Sequence, residues 1–286
     1  MESSLDTEAL AALGHPGRLA VFRLLARRAP QGVQPSAIAE ALGMKRNTLS
    51  VHVHALARAG LVTQRREGRA VHYALDLTRT AALVDFLVND CCRGRPELCT
   101  PLAATALRRL EPGETPMPDR PYSVLFICTG NSARSIFAEA ILRHLGGDRF
   151  RALSAGTRPY SELNPFALEV LRQHGHDVSA LRAKTVAEVR GAEAPALDFV
   201  FTVCDRAANE ECPPWPGQPI SAHWGIPDPV TAEGTEAEKA LAFRHAYAAM
   251  RRRIESFVAL PLETLDRISL QRRLDAIGSD APAGAG

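Results

Sequence analysis

Residues 122–135 read YSVLFICTGNSARS, an apolar run that ends at a cysteine and continues into a loop of small polar residues. The run predicts a buried strand, and the pattern after the loop predicts a helix through Leu145. Backbone amides of such a loop, together with the helix N-terminus, form a nest for a tetrahedral oxyanion. We expect this field to lower the pKa of Cys128 and so to provide a thiolate nucleophile.

The side chains around this cysteine fit the same chemistry. Arg134 can bind two oxygens of the oxyanion through paired hydrogen bonds, and Ser135 can donate a hydrogen bond to the thiolate. An ordinary strand–helix turn is the alternative, but the spacing Cys-x5-Arg-Ser after a strand argues against it. The predicted oxyanion-binding loop consists of Thr129, Gly130, Asn131, Ser132 and Ala133.

Strands and helices alternate through the rest of the second half. Strands are predicted over residues 151–154 and 199–203 and near Ile220, and helices over residues 165–174 and 235–260. This alternation favours an α/β domain with a parallel sheet covered by helices. Asp228-Pro229 fits a general acid on a mobile loop that assists loss of an oxygen leaving group. An Asp-Pro pair alone is more often an ordinary turn, but here His223-Trp224-Gly225 stands just before it.

The first half has helical periodicity and ends in a basic hairpin. Apolar residues predict one face of the first helix, namely Leu19, Phe22, Leu25 and Ala26. Ser36 is the predicted N-cap of the second helix, and Leu49, Val53 and Leu56 are the inward residues of the third. The predicted elements are a helix from His15-Pro16, a helix from Ser36 to Gly43, a helix over 47–58, a hairpin over 62–75 with a turn at Glu67-Gly68, and a helix over 80–90. This order predicts a mainly α winged helix-turn-helix domain.

A chain of 286 residues favours two domains over one. The stretch EPGETPMPDRP, residues 111–121, is rich in proline and has no apolar periodicity, so it is predicted to be a linker. The predicted organisation is a DNA-binding domain over 1–110, an enzymatic domain over 122–277, and a disordered tail over 278–286. The sequence contains no signal-peptide pattern and no apolar stretch long enough to span a membrane, so we expect a soluble cytoplasmic protein.

The net charge of +2 is the sum of two unequal parts. Residues 1–110 contain 15 Lys and Arg against 9 Asp and Glu, or +6, which leaves 34 − 15 = 19 basic and 32 − 9 = 23 acidic residues, or −4, in the remainder. A basic first half indicates a polyanionic partner, although a winged helix that contacts protein is the alternative. Residues expected to contact bases are Asn47, Thr48, Ser50, His52 and His54, and those expected to contact phosphates are Lys45, Arg46, Arg65, Arg66 and Arg69.

Three cysteines follow the winged helix closely, at positions 91, 92 and 99. Adjacent cysteines have Cα atoms about 3.8 Å apart, too close for an ordinary disulfide. Cys91, Cys92 and Cys99 can instead share one soft trivalent ion such as arsenite, because three thiolates leave room for its lone pair. Structural zinc usually takes four ligands, and the motif contains no histidine. Three incidental buried thiols are the alternative, which the polar surroundings make less attractive.

The first half resembles the ArsR/SmtB family of metal-responsive winged-helix repressors. The resemblance lies in LGHPGRL at 13–19, NTLSVHV at 47–53 and RREGR at 65–69, and the Cys-Cys-x6-Cys run resembles the sensor of an arsenite-responsive subgroup. A Cys-Val-Cys motif used by other subgroups is missing. The resemblance implies a homodimer that binds a palindromic operator and releases it when arsenite binds as the inducer.

The second half resembles low-molecular-weight protein tyrosine phosphatases, and more closely the arsenate reductases built on that fold. Cys204 and Cys212 flank a polar segment where the reductases keep two redox cysteines, HWGIPDP at 223–229 is similar to their His-Trp-Gly…Asp-Pro, and no tyrosine follows Asp228-Pro229. Two departures are that seven residues separate Cys204 from Cys212, one more than expected, and that Ala133 replaces a second loop cysteine.

This resemblance implies a disulfide relay. Cys128 attacks arsenate, Cys204 attacks the Cys128 sulfur and releases arsenite, and Cys212 then forms a disulfide with Cys204 that thioredoxin or a similar dithiol reopens. No organic cofactor is expected. Asn131, Glu139 and Ser154 resemble positions that bind potassium in some reductases, and a purely structural role for these polar residues is the alternative. The alternatives are a phosphatase fused to a metalloid-responsive repressor, and a DNA-binding sensor with an inactive second domain.

Overall fold

The structure is a computed structural model that describes residues 2–68, 70–91, 120–160, 162–190, 194–210 and 215–279. The chain divides into two units, Met1–Arg108 with Asn209–Glu211, and Arg109–Ala208 with Cys212–Gly286. The predicted linker falls mostly outside the described residues, so the predicted domain limits stay a prediction. None of the helices in the described ranges is both long and apolar enough to cross a membrane.

The first unit is a bundle of helices followed by an antiparallel hairpin, which confirms the winged helix-turn-helix prediction. The core is formed by residues from every helix, and Leu24, Leu25, Ile38, Leu49 and Leu56 are fully or almost fully buried. The elements are α1 (Glu2–Leu13), α2 (Pro16–Arg28), α3 (Pro35–Ala41), α4 (Arg46–Arg58), β1 (Val62–Glu67), β2 (Ala70–Leu75), α5 (Leu77–Asp85) and a π-helical segment (Phe86–Cys91).

Several local predictions in this unit were wrong. Helix α1 has no counterpart in the sequence analysis. Ser36 does not cap α3, because the helix begins one residue earlier, with Gln34 at the N-cap and Pro35 in the first turn. In α2 the buried positions include Val21 and Leu24, whereas the predicted core residue Leu19 is 40% exposed and Ala26 is also exposed. Helix α2 has more apolar residues than one face can hold, so the periodicity of these residues could not identify which face of the helix is buried.

The final helix of this unit begins earlier than predicted. Asp76 accepts a hydrogen bond from the Arg79 backbone amide and so caps α5, and the backbone becomes π-helical from Phe86. Only Leu83 is buried in α5, whereas Leu77 and Val84 are 51% and 47% exposed. Within the part of the chain that the structure describes, an apolar helix therefore has much of its surface exposed.

The second unit is a four-stranded parallel sheet with the strand order β4-β3-β5-β6, flanked by helices. Thr235 and Glu238 form a capping box at the start of α9, as the predicted helix boundary requires. The elements are β3 (Tyr122–Cys128), α6 (Arg134–Gly146), β4 (Phe150–Gly156), α7 (Pro165–Gln173), β5 (Phe199–Thr202), α8 (Asp205–Asn209), β6 (Ile220–His223), α9 (Glu236–Val258) and α10 (Arg267–Ser279). This confirms the predicted α/β domain.

The central strand β3 is buried along almost its whole length, as expected for a parallel strand covered on both faces. Aromatic rings fill the space beside it. Trp224 stacks on Phe201 with ring centroids 3.8 Å apart, and Phe257 of α9 packs edge-on against both rings. This aromatic packing holds β3, β5 and β6 in place, and so fixes the positions of their carboxyl ends.

Helix α10 was not predicted from the sequence. It packs on the edge strand β6, where Leu270 and Leu274 are buried. Trp224 Nε1 donates to the Leu274 carbonyl at 3.0 Å, and Gln271 donates to the Ser221 carbonyl at 2.8 Å. The helix continues through Ser279, so residues 278 and 279 of the predicted tail are helical, whereas residues 280–286 lie outside the described residues.

Candidate active site

Cys128 is the last residue of the central strand and is buried. The loop carbonyls of Cys128, Thr129, Gly130 and Ser132 accept hydrogen bonds from backbone amides of residues 157–164. Because C=O and N–H point in opposite directions across a peptide plane, the following loop amides point away from that segment. The Asn131 amide accordingly donates to Cys128 Sγ at 3.1 Å. The Asn131 amide thus points to the thiol, as the predicted nest requires, and binding of an oxyanion by the loop stays a prediction.

Asn131 has a left-handed backbone, with φ 44°, and its side chain organises the loop. Its Nδ2 donates to Ser135 Oγ and to Ser154 Oγ, each at 2.8 Å. Ser135 Oγ lies 2.9 Å from Cys128 Sγ. Because Ser135 accepts from Asn131, its own hydroxyl hydrogen is available to donate to the sulfur. The contact predicted between Ser135 and Cys128 is therefore present.

The expected direction of the Cys128 pKa shift was wrong. Burial of the thiol raises its pKa, since a thiolate is poorly solvated there, and the nearby Cys204 raises it further. Hydrogen bonds from Ser135 and Asn131 lower the pKa, but they do not outweigh burial. A loop that donates hydrogen bonds can thus hold a protonated cysteine when the cysteine is also removed from water.

Arg134 and Asp228 form an ion pair at the mouth of the loop, with Nη2 and Oδ2 2.5 Å apart. Arg134 is the first residue of α6, and Asp228 caps the short 3₁₀ turn Pro229–Thr231 by accepting from the Val230 amide at 3.1 Å. The pair brings a guanidinium and a carboxyl group to the same place, one suited to oxyanion binding and the other to proton transfer.

A cavity of about 520 Å³ opens beside the loop. Cys128, Arg134, Cys204 and Asp228 all line it. Cys204 follows β5 and is buried, and its sulfur lies 3.5 Å from Thr129 Oγ1 and 3.4 Å from the Ala207 amide nitrogen. The structure therefore brings two of the three predicted redox cysteines to one pocket, while Cys212 lies outside the described residues.

Two further pocket residues were not predicted as members of the site. Tyr160 lines the cavity with 60% of its side chain exposed, and its ring packs against Gly130, where a Cβ would overlap the ring. His223 was noted only as company for Asp228, yet its imidazole lines the pocket and bridges Thr202 Oγ1 at 2.8 Å and Asp205 Oδ1 at 3.2 Å. No sequence pattern marks Tyr160 as a pocket residue, because it is a single aromatic residue after a strand. For His223, the sequence gives no sign that its imidazole faces the pocket.

Of the predicted DNA-contacting residues that the structure describes, all but one are exposed on the first unit. His52 is half-buried and its ring lies 4.9 Å from that of His15; burial, His15 and Arg18 lower the pKa of His52. Val51 was not predicted, but it is 68% exposed on α4. The exposed predicted residues are Lys45, Arg46, Asn47, Thr48, Ser50, His54, Arg65 and Arg66, and Arg69 lies outside the described residues.

Only one of the three predicted arsenite ligands lies in the described part of the chain. Cys91 is a free, exposed cysteine at the end of the π-helical segment. Cys92 and Cys99 lie outside the described residues, so the three-thiol site stays a prediction.

Comparisons with known proteins agree with the division of the chain into two units. Residues 123–270 match the family "Low molecular weight phosphotyrosine protein phosphatase", and residues 13–65 match "Helix-turn-helix domain". An arsenate reductase of Halalkalibacterium halodurans is 36% identical over 47% of this chain and 93% of its own length. An arsenate reductase of Bacillus subtilis is 34% identical over 47% and 93%.

Among solved structures, an arsenate reductase from Archaeoglobus fulgidus is similar with 25% identity and a TM-score of 0.39, over 48% of this chain and 99% of that one. The family match covers half of the chain and includes the cysteine loop, Arg134, Cys204 and Asp228. The chain therefore belongs to the low molecular weight phosphotyrosine protein phosphatase family and, within it, is related to the arsenate reductases.

Proposed function

We propose that the second unit reduces arsenate to arsenite through Cys128, Cys204 and Cys212. The observation that carries the proposal is the shared pocket of Cys128 and Cys204. Hydrolysis of a phosphate ester needs one thiol, whereas reduction needs a second thiol to remove the first from its arsenic adduct. The arsenate reductase names of the relatives support the same substrate.

The first step forms a bond between sulfur and arsenic. The Cys128 thiol attacks HAsO₄²⁻ held by the loop amides and Arg134, and one arsenate oxygen leaves as water. The thiol proton and the proton already on arsenate together balance this water, giving Cys128–S–AsO₃²⁻. Because burial raises the pKa of Cys128, the thiol can deliver its own proton to the leaving oxygen, with Asp228 as the relay.

The second step transfers two electrons to arsenic. The Cys204 sulfur attacks the Cys128 sulfur, and the S–As bond breaks with its electron pair on arsenic. The Cys204 thiol proton passes to the arsenic oxygens, and two further protons from solvent complete As(OH)₃. Cys212 then attacks Cys204, which frees Cys128 and leaves a Cys204–Cys212 disulfide. A dithiol reductant such as thioredoxin reopens that disulfide. This reducing chemistry fits the cytoplasm, where thiols are kept reduced.

The relay can be tested by the number of turnovers. Cys212→Ser enzyme should release about one arsenite per active site and then stop, because the Cys128–Cys204 disulfide has no internal partner. Undiminished cycling by this variant would contradict the relay. Cys128→Ser enzyme, the matched control, should release none.

A phosphatase is the second candidate, and Tyr160 is the observation that favours it. An exposed aromatic ring beside the loop could stack on the aryl group of a phosphate ester. The two functions separate when arsenate-dependent oxidation of reduced thioredoxin is compared with aryl phosphate hydrolysis by the same preparation. Hydrolysis that survives Cys204→Ser while arsenate reduction is undetectable in wild type would favour the phosphatase.

We further propose that the first unit is an arsenic-responsive repressor. The helix-turn-helix match and the exposed polar and basic residues of α4 and β1 support operator binding. Arsenite bound to Cys91, Cys92 and Cys99 would then release the DNA. The exposed apolar residues Leu77 and Val84 support a homodimer on a palindromic site.

The two activities can be tested together by DNA release. Arsenate with a reductant should release operator DNA from wild type but not from Cys128→Ser, whereas arsenite should release it from both. A Cys128→Ser protein that responds to arsenate and not to arsenite would contradict the coupling. Sedimentation of wild type and Val84→Glu tests the dimer, which the added charge should weaken.

A further inference from the structure

A line of buried polar groups connects the catalytic loop to the interior of α6. Ser154 accepts from Asn131 Nδ2 at 2.8 Å and donates to Glu139 Oε2 at 2.5 Å. Asn131, Ser154 and Glu139 are at most 3% exposed. The three residues that resemble a potassium site are therefore in contact, and together they carry one buried negative charge.

Lys184 supplies the positive charge that this carboxylate requires. Its Nζ lies 2.9 Å from Glu139 Oε2 and also donates to the Arg182 carbonyl at 3.0 Å. Its backbone amide donates to Asn131 Oδ1 at 2.7 Å. The Lys184 carbonyl accepts from the Gly156 amide at 2.8 Å, which ties this segment to the end of β4. One residue therefore contacts both ends of the polar line.

The residues present do not fit a potassium ion in addition. Asn131 Oδ1 accepts from Lys184, and Ser154 Oγ both accepts and donates within the line. The second Glu139 oxygen, Oε1, accepts from Arg143 at 2.6 Å. Two cations already contact this carboxylate, and like unit charges about 4 Å apart repel by about 4 kcal/mol at the effective dielectric of a protein.

We propose that Lys184 acts as a built-in cation for the catalytic loop, so that this enzyme works without potassium. Lys184 is a positioning residue: it holds Asn131 in its left-handed conformation through the backbone and neutralises Glu139 through the side chain. Asn131 in turn presents its amide and Ser135 to Cys128. The predicted effect of Lys184 on turnover rests on the proposed arsenate reduction. The prediction that the loop binds no potassium does not depend on that function.

The test compares salts at equal ionic strength. Wild type should have the same thermal midpoint and the same kcat in potassium, sodium and choline chloride. Lys184→Ala should lower the midpoint by about 5–10 °C, because it leaves a buried carboxylate without its least exposed partner, and should lower kcat about tenfold. Potassium, which can enter the vacated space, should restore part of both losses, and choline should restore neither.

Arg143→Met is the matched control, since Arg143 also contacts Glu139 but its side chain is 42% exposed, against 11% for Lys184. It should change neither quantity appreciably. A wild type stabilised by potassium over choline would overturn the proposal, and that measurement holds even if Lys184→Ala does not fold. A Lys184→Ala protein equal to wild type, or one that loses stability without recovery in potassium, would also overturn it. If wild type reduces no arsenate, the proposed function fails while the thermal comparison still decides the role of Lys184.

Discussion

Replacing Ser135 by alanine should raise the pKa of Cys128 beyond its already raised value. Ser135 is fully buried and its hydroxyl lies 2.9 Å from Cys128 Sγ, so no water can take its place. A hydrogen bond to a charged group contributes about 1.5–3 kcal/mol, so its loss should raise the Cys128 pKa by a readily measurable amount. The Asn131 amide keeps its contact with the sulfur, so we expect the lower end of this range.

The pKa can be measured from the ultraviolet absorbance of the thiolate as a function of pH. The spectrum of a Cys128→Ser protein, taken at each pH, removes the contribution of the other cysteines. Where the pH lies below the pKa, one unit corresponds to about a tenfold smaller thiolate population.

Ser123→Ala is the control, because Ser123 is a buried serine at the opposite end of the same strand. It should leave the Cys128 pKa unchanged. If Ser135→Ala also leaves it unchanged, the hydroxyl does not donate to the sulfur, and the line of hydrogen bonds from Glu139 reaches Cys128 through the Asn131 amide alone.

Single features of the molecule support three other predictions. Arg134→Lys should raise KM for arsenate about tenfold or more in steady-state assays, because an ammonium cannot bind two oxygens at once; an unchanged KM would contradict oxyanion binding by Arg134. Burial, His144 and His174 lower the pKa of His176 from 6.5 to about 4. Because the unfolded chain then binds the proton more tightly, the free energy of unfolding should fall by about 1–3 kcal/mol as the pH drops from about 6.5 to about 4. Urea unfolding at several pH values should show a smaller fall for His176→Gln. Replacing Arg65 and Arg66 by glutamine should reduce the salt dependence of DNA binding by about 0.9 in log–log slope for each phosphate that the variant no longer neutralises, whereas Arg272→Gln, an exposed arginine of the second unit, should not change it.

The cysteine loop could be predicted from the sequence because its local pattern and its chemistry coincide. An apolar strand, a loop of small residues and a helix place Cys128, Arg134 and Ser135 by chain connectivity alone. Cys204 could be assigned to the same site from the resemblance to arsenate reductases, and Asp228 from the motif that it shares with His223-Trp224-Gly225. The structure gives the physical reason, because the carboxyl ends of the parallel strands β5 and β6 meet at one edge of the sheet.

What could not be predicted depends on contacts between distant residues. Lys184 is 45 residues from Glu139, and no spacing pattern marks a lysine that folds inward. The Cys128 pKa depends on burial as much as on the loop amides, and burial is a property of the whole packed unit. Helix α10 has a polar composition with few apolar residues, and it is stabilised by packing of Leu270 and Leu274 against β6 rather than by its own pattern.

The last turn of α10 has a consequence for how this protein can change. Gly278 lines the catalytic cavity, and a Cβ there would overlap the His223 carbonyl oxygen and approach Trp224. Any larger residue would have to push the helix away from the strand that carries His223. Insertions or larger residues in the last turn of α10 would therefore change the shape of the cavity. In a homologue that lacks this helix, other residues must form this side of the pocket. A substitution in the pocket would therefore have different effects in that homologue and in this protein.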